Sequence, residues 1–289
     1  MQKGDYLLQN FAMFVHLGKT ADPFHYAMKL VDLFYNELEP YSDRIGIVKR
    51  WEDIEENQKA GKMSAMLTLE EGGICKGDLS CLRDFYRLGA RMMTITWNFP
   101  NELGFPNGKD ESVSPARSVP DTEHGLTETG IAFVQEMERI GMIIDISHLN
   151  DAGIRDVFHY TKKPFVASHS NARSVCASPR NLTDDMIRKL AERGGIAGIN
   201  FYQHFLGEQN ADESYLDLAV QHMKYMINLG GEDFVALGSD FDGINRYDDI
   251  PDCSVLPKLV QTMKTAGLTP TQIEKICYQN TLRIYRELL

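Results

Sequence analysis

Four apolar runs of the sequence lead into a side chain that can bind a metal ion. "LTLEEGG" contains Glu71, "IIDISH" ends in His148, "FVASH" ends in His169, and "VALGSDFDG" contains Asp240. Two imidazoles and two carboxylates form a ligand set that suits Zn²⁺ or a similar divalent ion. If these runs are parallel strands of a barrel, their carboxyl ends meet at the rim where barrels place active sites.

Each of these side chains has a simpler explanation when it is taken alone. A histidine at a strand end usually caps backbone groups, "EEGG" is a common strand end with a turn, and the aspartates of "GSDFDG" typically bond their own backbone. Four such ends in one repeating frame favour a metal, because carboxylates and imidazoles crowded at one rim would otherwise repel or stay unsatisfied. The sequence therefore predicts a site for a divalent metal.

The elements that must hold these residues follow from the hydrophobic pattern. Seven apolar runs alternate with stretches of helical period, and the runs span 7–15, 63–70, 90–97, 141–147, 164–168, 194–202 and 233–239. Runs that are apolar throughout and separated by helices indicate parallel strands covered on both faces. Because no glycine-rich phosphate-binding motif follows any run, the α/β class is expected to be a (β/α)8 TIM barrel rather than an open nucleotide-binding sheet.

A closed barrel needs eight strands, one more than the pattern shows. The weak run 44–50 is a candidate, but we favour a barrel that lacks its N-terminal first strand in this sequence. Capping preferences predict helix starts at Asp22-Pro23 and Thr127 and a helix end at Gly141. No repeat or linker divides the chain, so residues 1–289 are expected to form a single barrel domain.

Composition narrows the classes of function. The chain has 289 residues and a formal net charge of −11, so no basic surface for nucleic acid is expected. Five scattered cysteines without a C-x-x-C pair are typical of free thiols in a reducing compartment. The apolar stretch near the N-terminus is too short to span a bilayer and lacks the pattern of a secretion signal. These features predict a cytoplasmic protein with no membrane or nucleic-acid partner.

Several stretches together resemble the membrane (renal) dipeptidase family, the M19 metallopeptidases of amidohydrolase type. They are "EEGG", "MIIDISHL", "ASHSNARSVCASPRNLTDD" and "LGSDFDG", and the similarity runs over essentially the whole chain. Members of the family are (β/α)8 barrels with two zinc ions. The resemblance implies that Glu71 bridges both ions and that His148 and His169 hold the second one. It also implies that Asp240 binds the first ion and handles the proton of the attacking water.

The resemblance also implies the reaction and the substrate contacts. A hydroxide bridging the two zinc ions would attack the peptide bond of a dipeptide, with tolerance for a D-residue on the carboxyl side. Arg180 would bind the substrate carboxylate as a bidentate pair, and Trp97 and Tyr202 are assigned to the substrate pocket. Without the resemblance, Arg180 reads as a surface arginine before a helix, and Trp97 reads as an aromatic side chain packing the rim.

The sequence departs from the family pattern in two places. The His-x-Asp motif that supplies two ligands to the first metal is missing, since Asp22 and His25 stand in the wrong order at a helix start. Either the natural chain has an upstream segment with this motif, or one metal site is lost or weakened here. Trp97 stands where some members place a histidine that stabilises the tetrahedral intermediate, so we assign no oxyanion role to it.

Two other functions stay open from the sequence. A metal-dependent amidohydrolase would act on another amide or on a lactone, although such enzymes typically use a lysine as the group that bridges the metals. A barrel inactive for want of the His-x-Asp ligands would be a binding or scaffold protein. The irregular segment 98–125 is expected to cover the substrate and to contribute across a homodimer interface, with a plain surface excursion as the alternative.

Overall fold

The computed structural model describes residues 1–107, 119–211 and 213–289, in which parallel strands alternate with helices. The strands are β1 (Leu8–Phe14), β2 (Ile45–Val48), β3 (Met63–Glu70), β4 (Met92–Thr94), β5 (Ile143–Asp145), β6 (Val166–Ala167), β7 (Ile196–Asn200) and β8 (Val235–Ser239). The helices are α1 (Pro23–Leu38), α2 (Trp51–Lys59), α3 (Leu79–Leu88), α4 (Glu128–Ile140), α5 (Asp151–Tyr160), α6 (Asp184–Glu192), α7 (Gln203–Leu206), α8 (Tyr215–Gly230), α9 (Leu256–Thr265), α10 (Pro270–Glu274) and α11 (Asn280–Leu288).

Each of the seven predicted apolar runs contains a strand, although the strands are shorter than the runs. The weak run 44–50 also forms a strand, β2, so the described residues contain eight strands and the count of seven was one short. Its charged ends, Arg44, Lys49 and Arg50, obscure the short apolar segment between them. The absence of an N-terminal first strand stays a prediction.

Residues 7–107, 120–163 and 285–289 form one compact unit, built on strands β1 to β5. Strand β1 pairs with one edge of β3, and β2 and β4 pair with successive parts of its other edge. The register places Phe14 opposite Glu70, Glu70 opposite Thr94, and Thr94 opposite Asp145. The carboxyl ends of these strands therefore stand at the same level, and the residues that follow them are neighbours.

The helices of this unit begin and end where the capping residues predict. The Asp22 carboxylate accepts a hydrogen bond from the His25 backbone before Pro23 starts α1. The Thr127 hydroxyl caps α4, and Gly141 ends it with φ +86°. A left-handed residue at this position costs glycine little, because glycine has no Cβ to clash with its own backbone. Both helix predictions are confirmed.

Residues 1–6 and 164–284 form a second compact unit, in which β6, β7 and β8 lie side by side. The strands approach closely at two glycines. A Cβ added to Gly198 would lie 2.1 Å from the Ser168 carbonyl oxygen, and one added to Gly238 would lie 2.3 Å from the same oxygen. Only glycine fits at these positions, so the ends of β6, β7 and β8 are held together.

Several predictions about organisation stay untested. The part of segment 98–125 that spans 108–118 lies outside the described residues, and its role as a cover stays a prediction. The expectation of a single domain also stays a prediction. All five cysteines are free thiols. In the described residues, no helix combines the length and the apolar character needed to cross a bilayer.

Replacing Gly198 by alanine tests the close approach of these strands. The added methyl group would meet backbone atoms on both sides, at 2.1 Å and 2.7 Å, which cannot move independently of the sheet. We expect the free energy of unfolding to fall by about 3 kcal/mol, measured by chemical denaturation. The control is Gly104→Ala, whose added methyl group would come no closer than 3.3 Å to a side-chain atom. Equal effects of the two variants would contradict the packing argument.

A second prediction concerns His222, which is fully buried on α8. Its Nδ1 accepts a hydrogen bond from the Ala172 backbone at 3.1 Å, and its Nε2 lies 3.0 Å from the Leu206 carbonyl oxygen, to which it donates. Burial lowers the pKa of His222 to about 4. Between pH 6.5 and 4 the imidazole therefore stays mostly neutral in the folded protein, whereas the unfolded histidine, with a pKa of about 6.5, takes up a proton.

The unfolded chain thus binds the extra proton between pH 6.5 and 4, and folding stability must fall as the pH drops through this range. His222 accounts for about 3 kcal/mol of that loss. We expect His222→Gln, which keeps a donor and an acceptor but cannot ionise, to be less stable than the wild type at pH 8. The gap should close as the pH falls from 6.5 to 4, measured by thermal unfolding. A gap that stays constant over this range would show that His222 does not titrate as described.

Candidate functional site

Glu70 and His148 face each other at the strand ends of the first unit. Glu70 is the last residue of β3, and its Oε1 lies 3.4 Å from Nε2 of His148. His148 follows β5 in the left-handed region, with φ +72°, and is almost fully buried. This rare backbone conformation for a residue with a Cβ is typical of functional sites.

Asn98 determines how the His148 ring can be used. The amide oxygen Oδ1 of Asn98 lies 3.0 Å from Nδ1 of His148. With that oxygen as the acceptor, Nδ1 carries the ring proton and Nε2 directs its lone pair toward Glu70. A histidine that binds a metal is usually oriented by such a contact on its other nitrogen.

Glu71 lies in a different environment from Glu70. It is fully buried, and its carboxylate accepts hydrogen bonds from the backbone of Gly73 at 2.7 Å, the backbone of Trp97 at 3.0 Å and the Asn101 amide. Burial raises the pKa of Glu71 to about 7, although these three donors act in the opposite direction. Glu71 holds the segment after β4, and its predicted role as the bridge between metals stays a prediction.

Trp97 lies among aromatic rings beside His148. Its ring centroid is 6.1 Å from that of His148, 4.8 Å from that of Phe14 and 5.1 Å from that of His16. The substrate role assigned to Trp97 is untested. Asn98 and His16 were not among the predicted site residues, although His16 follows the first apolar run in the way that His148 follows its own run.

In the second unit, His169 lies two residues past β6 and contacts Arg180. His169 is buried, and its Nδ1 lies 2.7 Å from the Ser168 hydroxyl. The Arg180 guanidinium donates to the His169 carbonyl oxygen and to the Ser170 hydroxyl, both at 3.2 Å, and stacks 5.3 Å from the centre of the Phe205 ring. Arg180 is only 4% exposed, so it is not the surface arginine that the local sequence suggests.

Asp240 follows β8 on an unusual backbone. Its φ is +68°, and neighbouring Ser239 has φ +37°. One oxygen of its carboxylate, Oδ2, accepts a hydrogen bond from the Asn200 amide at 3.0 Å. The Oδ1 of Asn200 accepts in turn from the Tyr202 backbone at 2.7 Å, and burial raises the pKa of the Tyr202 hydroxyl.

The predicted site residues thus fall into two groups, each described within its own unit. The first unit brings Glu70, His148 and Trp97 together, and the second brings His169 to Arg180 and Tyr202 to Asp240 through Asn200. Asn98 and Asn200 were missed because an asparagine at a strand end is most often a turn residue. The only signals in the sequence were the position of Asn98 directly after the run 90–97 and that of Asn200 as a polar residue inside the run 194–202.

Comparison with known proteins agrees with the resemblance. The family model for membrane dipeptidase, peptidase family M19, matches residues 1–288. An uncharacterized protein in the pqqA 5' region of Klebsiella pneumoniae is 36% identical over 239 residues, which cover 82% of this chain and 86% of that protein.

Two solved structures share the fold over the full length of the chain. The dipeptidase AC, a metallopeptidase of family M19, has 28% identity and a TM-score of 0.88, with 87% of its own chain covered. A metallopeptidase from Rhodobacter sphaeroides, liganded with a phosphinate mimic of the dipeptide L-Ala-D-Ala, has 26% identity and a TM-score of 0.88, with 89% covered. This likeness confirms the predicted α/β class with the fold of a (β/α)8 barrel. The chain belongs to the membrane dipeptidases, peptidase family M19, and is a hydrolase of peptide bonds.

Proposed function

We propose that this chain is a zinc-dependent dipeptidase whose metal ligands include Glu70, His148, His169 and Asp240. The observation that carries the proposal is the 3.4 Å between Oε1 of Glu70 and Nε2 of His148. Two ligands of a tetrahedral zinc ion, each about 2.0–2.1 Å from it, stand about 3.3 Å apart. A carboxylate oxygen and an imidazole nitrogen at this spacing could bind the same ion without moving.

The orientation of the histidines supports the same proposal. Asn98 engages Nδ1 of His148, and Ser168 engages Nδ1 of His169. When Nδ1 of each ring is the donor in these contacts, Nε2 is left for coordination, which is a common mode for metal-binding histidines.

The two adjacent glutamates divide two tasks between them. Glu70 ends β3, whereas Glu71 lies past the strand with a φ of +126°, so their side chains leave the backbone in different settings and it is Glu70 that faces His148. Glu70 has that position, while Glu71 is engaged by three hydrogen-bond donors. We therefore assign the metal-binding carboxylate to Glu70 in place of Glu71, and we assign Glu71 to holding the segment that carries Trp97 and Asn98.

The substrate contacts of the proposal come from Arg180, Trp97 and Tyr202. A guanidinium offers two parallel donors, and this geometry matches the terminal carboxylate of a dipeptide. Arg180 is already fixed by the His169 loop, so little side-chain entropy is lost when a carboxylate binds. The L-Ala-D-Ala mimic bound by the Rhodobacter relative supports tolerance for a D-residue on the carboxyl side.

The chemistry then requires a metal and a proton carrier. A bound zinc ion would supply Lewis-acid chemistry and the activation of a water molecule. Asp240 takes the proton of the attacking water and delivers it to the leaving amine, with Asn200 on its Oδ2. Two ions per site are expected from the family. Glu70, His148 and His169 are the proposed protein ligands of one ion, and Asp240 is a proposed ligand of the other.

The setting of the enzyme is part of the proposal. We place it in the cytoplasm, since five free cysteines suit a reducing compartment. Free dipeptides are its proposed substrates. A homodimer stays a prediction.

Exchanging the two glutamates one at a time tests their division of tasks. Glu70→Gln should lose bound zinc, with an affinity at least about tenfold weaker, because an amide is a poor metal ligand. Glu71→Gln should keep its zinc but lose about 1–3 kcal/mol of stability, since its NH₂ group would face backbone donors. Zinc per chain is measured by mass spectrometry after dialysis in buffered zinc, and stability by denaturation. Loss of zinc in Glu71→Gln alone would return the metal to Glu71.

The activity is tested with the zinc-reconstituted full chain on L-Ala-L-Ala, L-Ala-D-Ala and their C-terminal amides. Free dipeptides should be cleaved, and the amides should have kcat/KM about 10- to 100-fold lower, because Arg180 loses its charged partner. Arg180→Lys should lose most of this discrimination. Hydrolysis of lactones or cyclic amides but not of dipeptides would favour another amidohydrolase, and no hydrolysis at all would favour an inactive barrel.

A further inference from the structure

One buried amide, that of Asn200, contacts three of the residues discussed above. Its Nδ2 donates to Oδ2 of Asp240 at 3.0 Å and approaches the His169 carbonyl oxygen at 3.5 Å. Its Oδ1 accepts from the Tyr202 backbone at 2.7 Å. The side chain is fully buried, so these contacts are made in the protein interior, where hydrogen bonds are stronger than in water.

The strands position Asn200 for these contacts. Asn200 is the last residue of β7, and the pairing of β7 with β8 is irregular between Ile199 and Asn200, so that Asn200 stands opposite Ser239. The close approach at Gly198 and Gly238 brings the two strand ends together. Asp240 then follows in the left-handed region, which turns its carboxylate toward the Asn200 amide.

A second asparagine fixes the backbone of the first. Asn171 accepts from the Asn200 backbone N–H at 2.9 Å and donates to the Asn200 carbonyl oxygen at 3.0 Å. It also donates to the Phe205 carbonyl oxygen at 3.2 Å. Asn200 therefore has little freedom to follow Asp240 if that carboxylate moves, and its side chain is a fixed reference for the carboxylate.

We infer that Asn200 is a positioning residue of the reaction. Its amide holds Oδ2 of the Asp240 carboxylate, which leaves Oδ1 of Asp240 for the reacting groups. This inference rests on the proposed function, in which Asp240 handles the proton. Asp240 stands on a left-handed backbone, so a fixed donor is needed to hold its carboxylate. Misplacement of a reacting group by about 1 Å can lower the rate about 100-fold. The oxygen of the same amide accepts from the Tyr202 backbone. One side chain therefore positions both Asp240, the proposed proton carrier, and Tyr202, a residue of the proposed substrate pocket.

The test separates this role from a purely structural one. Asn200→Asp keeps the acceptor for Tyr202 and removes the donor to Asp240. We expect kcat to fall about 10- to 100-fold, with KM changed less than about threefold, since Arg180 and Tyr202 stay in place. Asn200→Ala removes the donor without adding charge and should show the same loss of kcat. The comparison variant is Asn171→Asp, the same exchange at the residue that holds the Asn200 backbone. Because it keeps the Asn200 donor to Asp240, it should lower the melting temperature at least as much as Asn200→Asp but reduce kcat clearly less.

A swap of the two residues gives a readout that does not need activity. Asn200→Asp combined with Asp240→Asn restores one donor and one acceptor in exchanged places. We expect the swap to recover most of the melting temperature lost in Asn200→Asp, but none of the kcat, because the carboxylate then stands at the wrong position. Asp240→Asn should not recover the stability lost in Asn171→Asp.

Three results would overturn the inference. They are a kcat of Asn200→Asp within twofold of the wild type, an equal loss of kcat in Asn171→Asp, and no recovery of stability in the swap. If the wild type cleaves no dipeptide, the proposed function fails on that result alone. The stability of the swap then still decides whether Asn200 holds Asp240.

Discussion

The parallel register of the strands around β3 is the constraint on which the first group of site residues depends. Phe14, Glu70, Thr94 and Asp145 stand at one level across four strands. The residues just past this level, Trp97, Asn98 and His148, are therefore neighbours although they are far apart in sequence. A shift of one residue in this register would turn Glu70 to the opposite face of the sheet, and its 3.4 Å contact with His148 would be lost.

Buried amide and carboxylate side chains form hydrogen bonds to the segments that carry the site residues. Glu71 binds the segment after β4, and Asn200 and Asn171 bind the segments after β6, β7 and β8. A buried polar group without a partner costs about 1–3 kcal/mol, so each of these groups favours the one arrangement that satisfies it. The raised pKa of Glu71 and the lowered pKa of His222 have the same cause, the removal of these groups from water.

The backbone at the strand ends adds a second means of positioning. Glu71, His148 and Asp240 all have positive φ, although none of them is glycine. Such conformations cost about 1–3 kcal/mol each and persist only where surrounding contacts impose them. Glu71 and Asp240 directly follow β3 and β8, and His148 lies three residues past β5, so each stands where the chain turns away from its strand.

The sequence by itself determined the element types, most of the strands and the family. Apolar runs and capping residues predict strands and helices because burial and backbone hydrogen bonding act locally, and β2 was underrated only because charged residues flank its four-residue core. The tertiary structure decided which of Glu70 and Glu71 faces His148, because the end of β3 at Glu70 and the positive φ of Glu71 are set by packing that two adjacent identical residues do not reveal. It also decided the roles of Asn98 and Asn200, since the partners of an amide are set by contacts between segments that only the packed strands bring together.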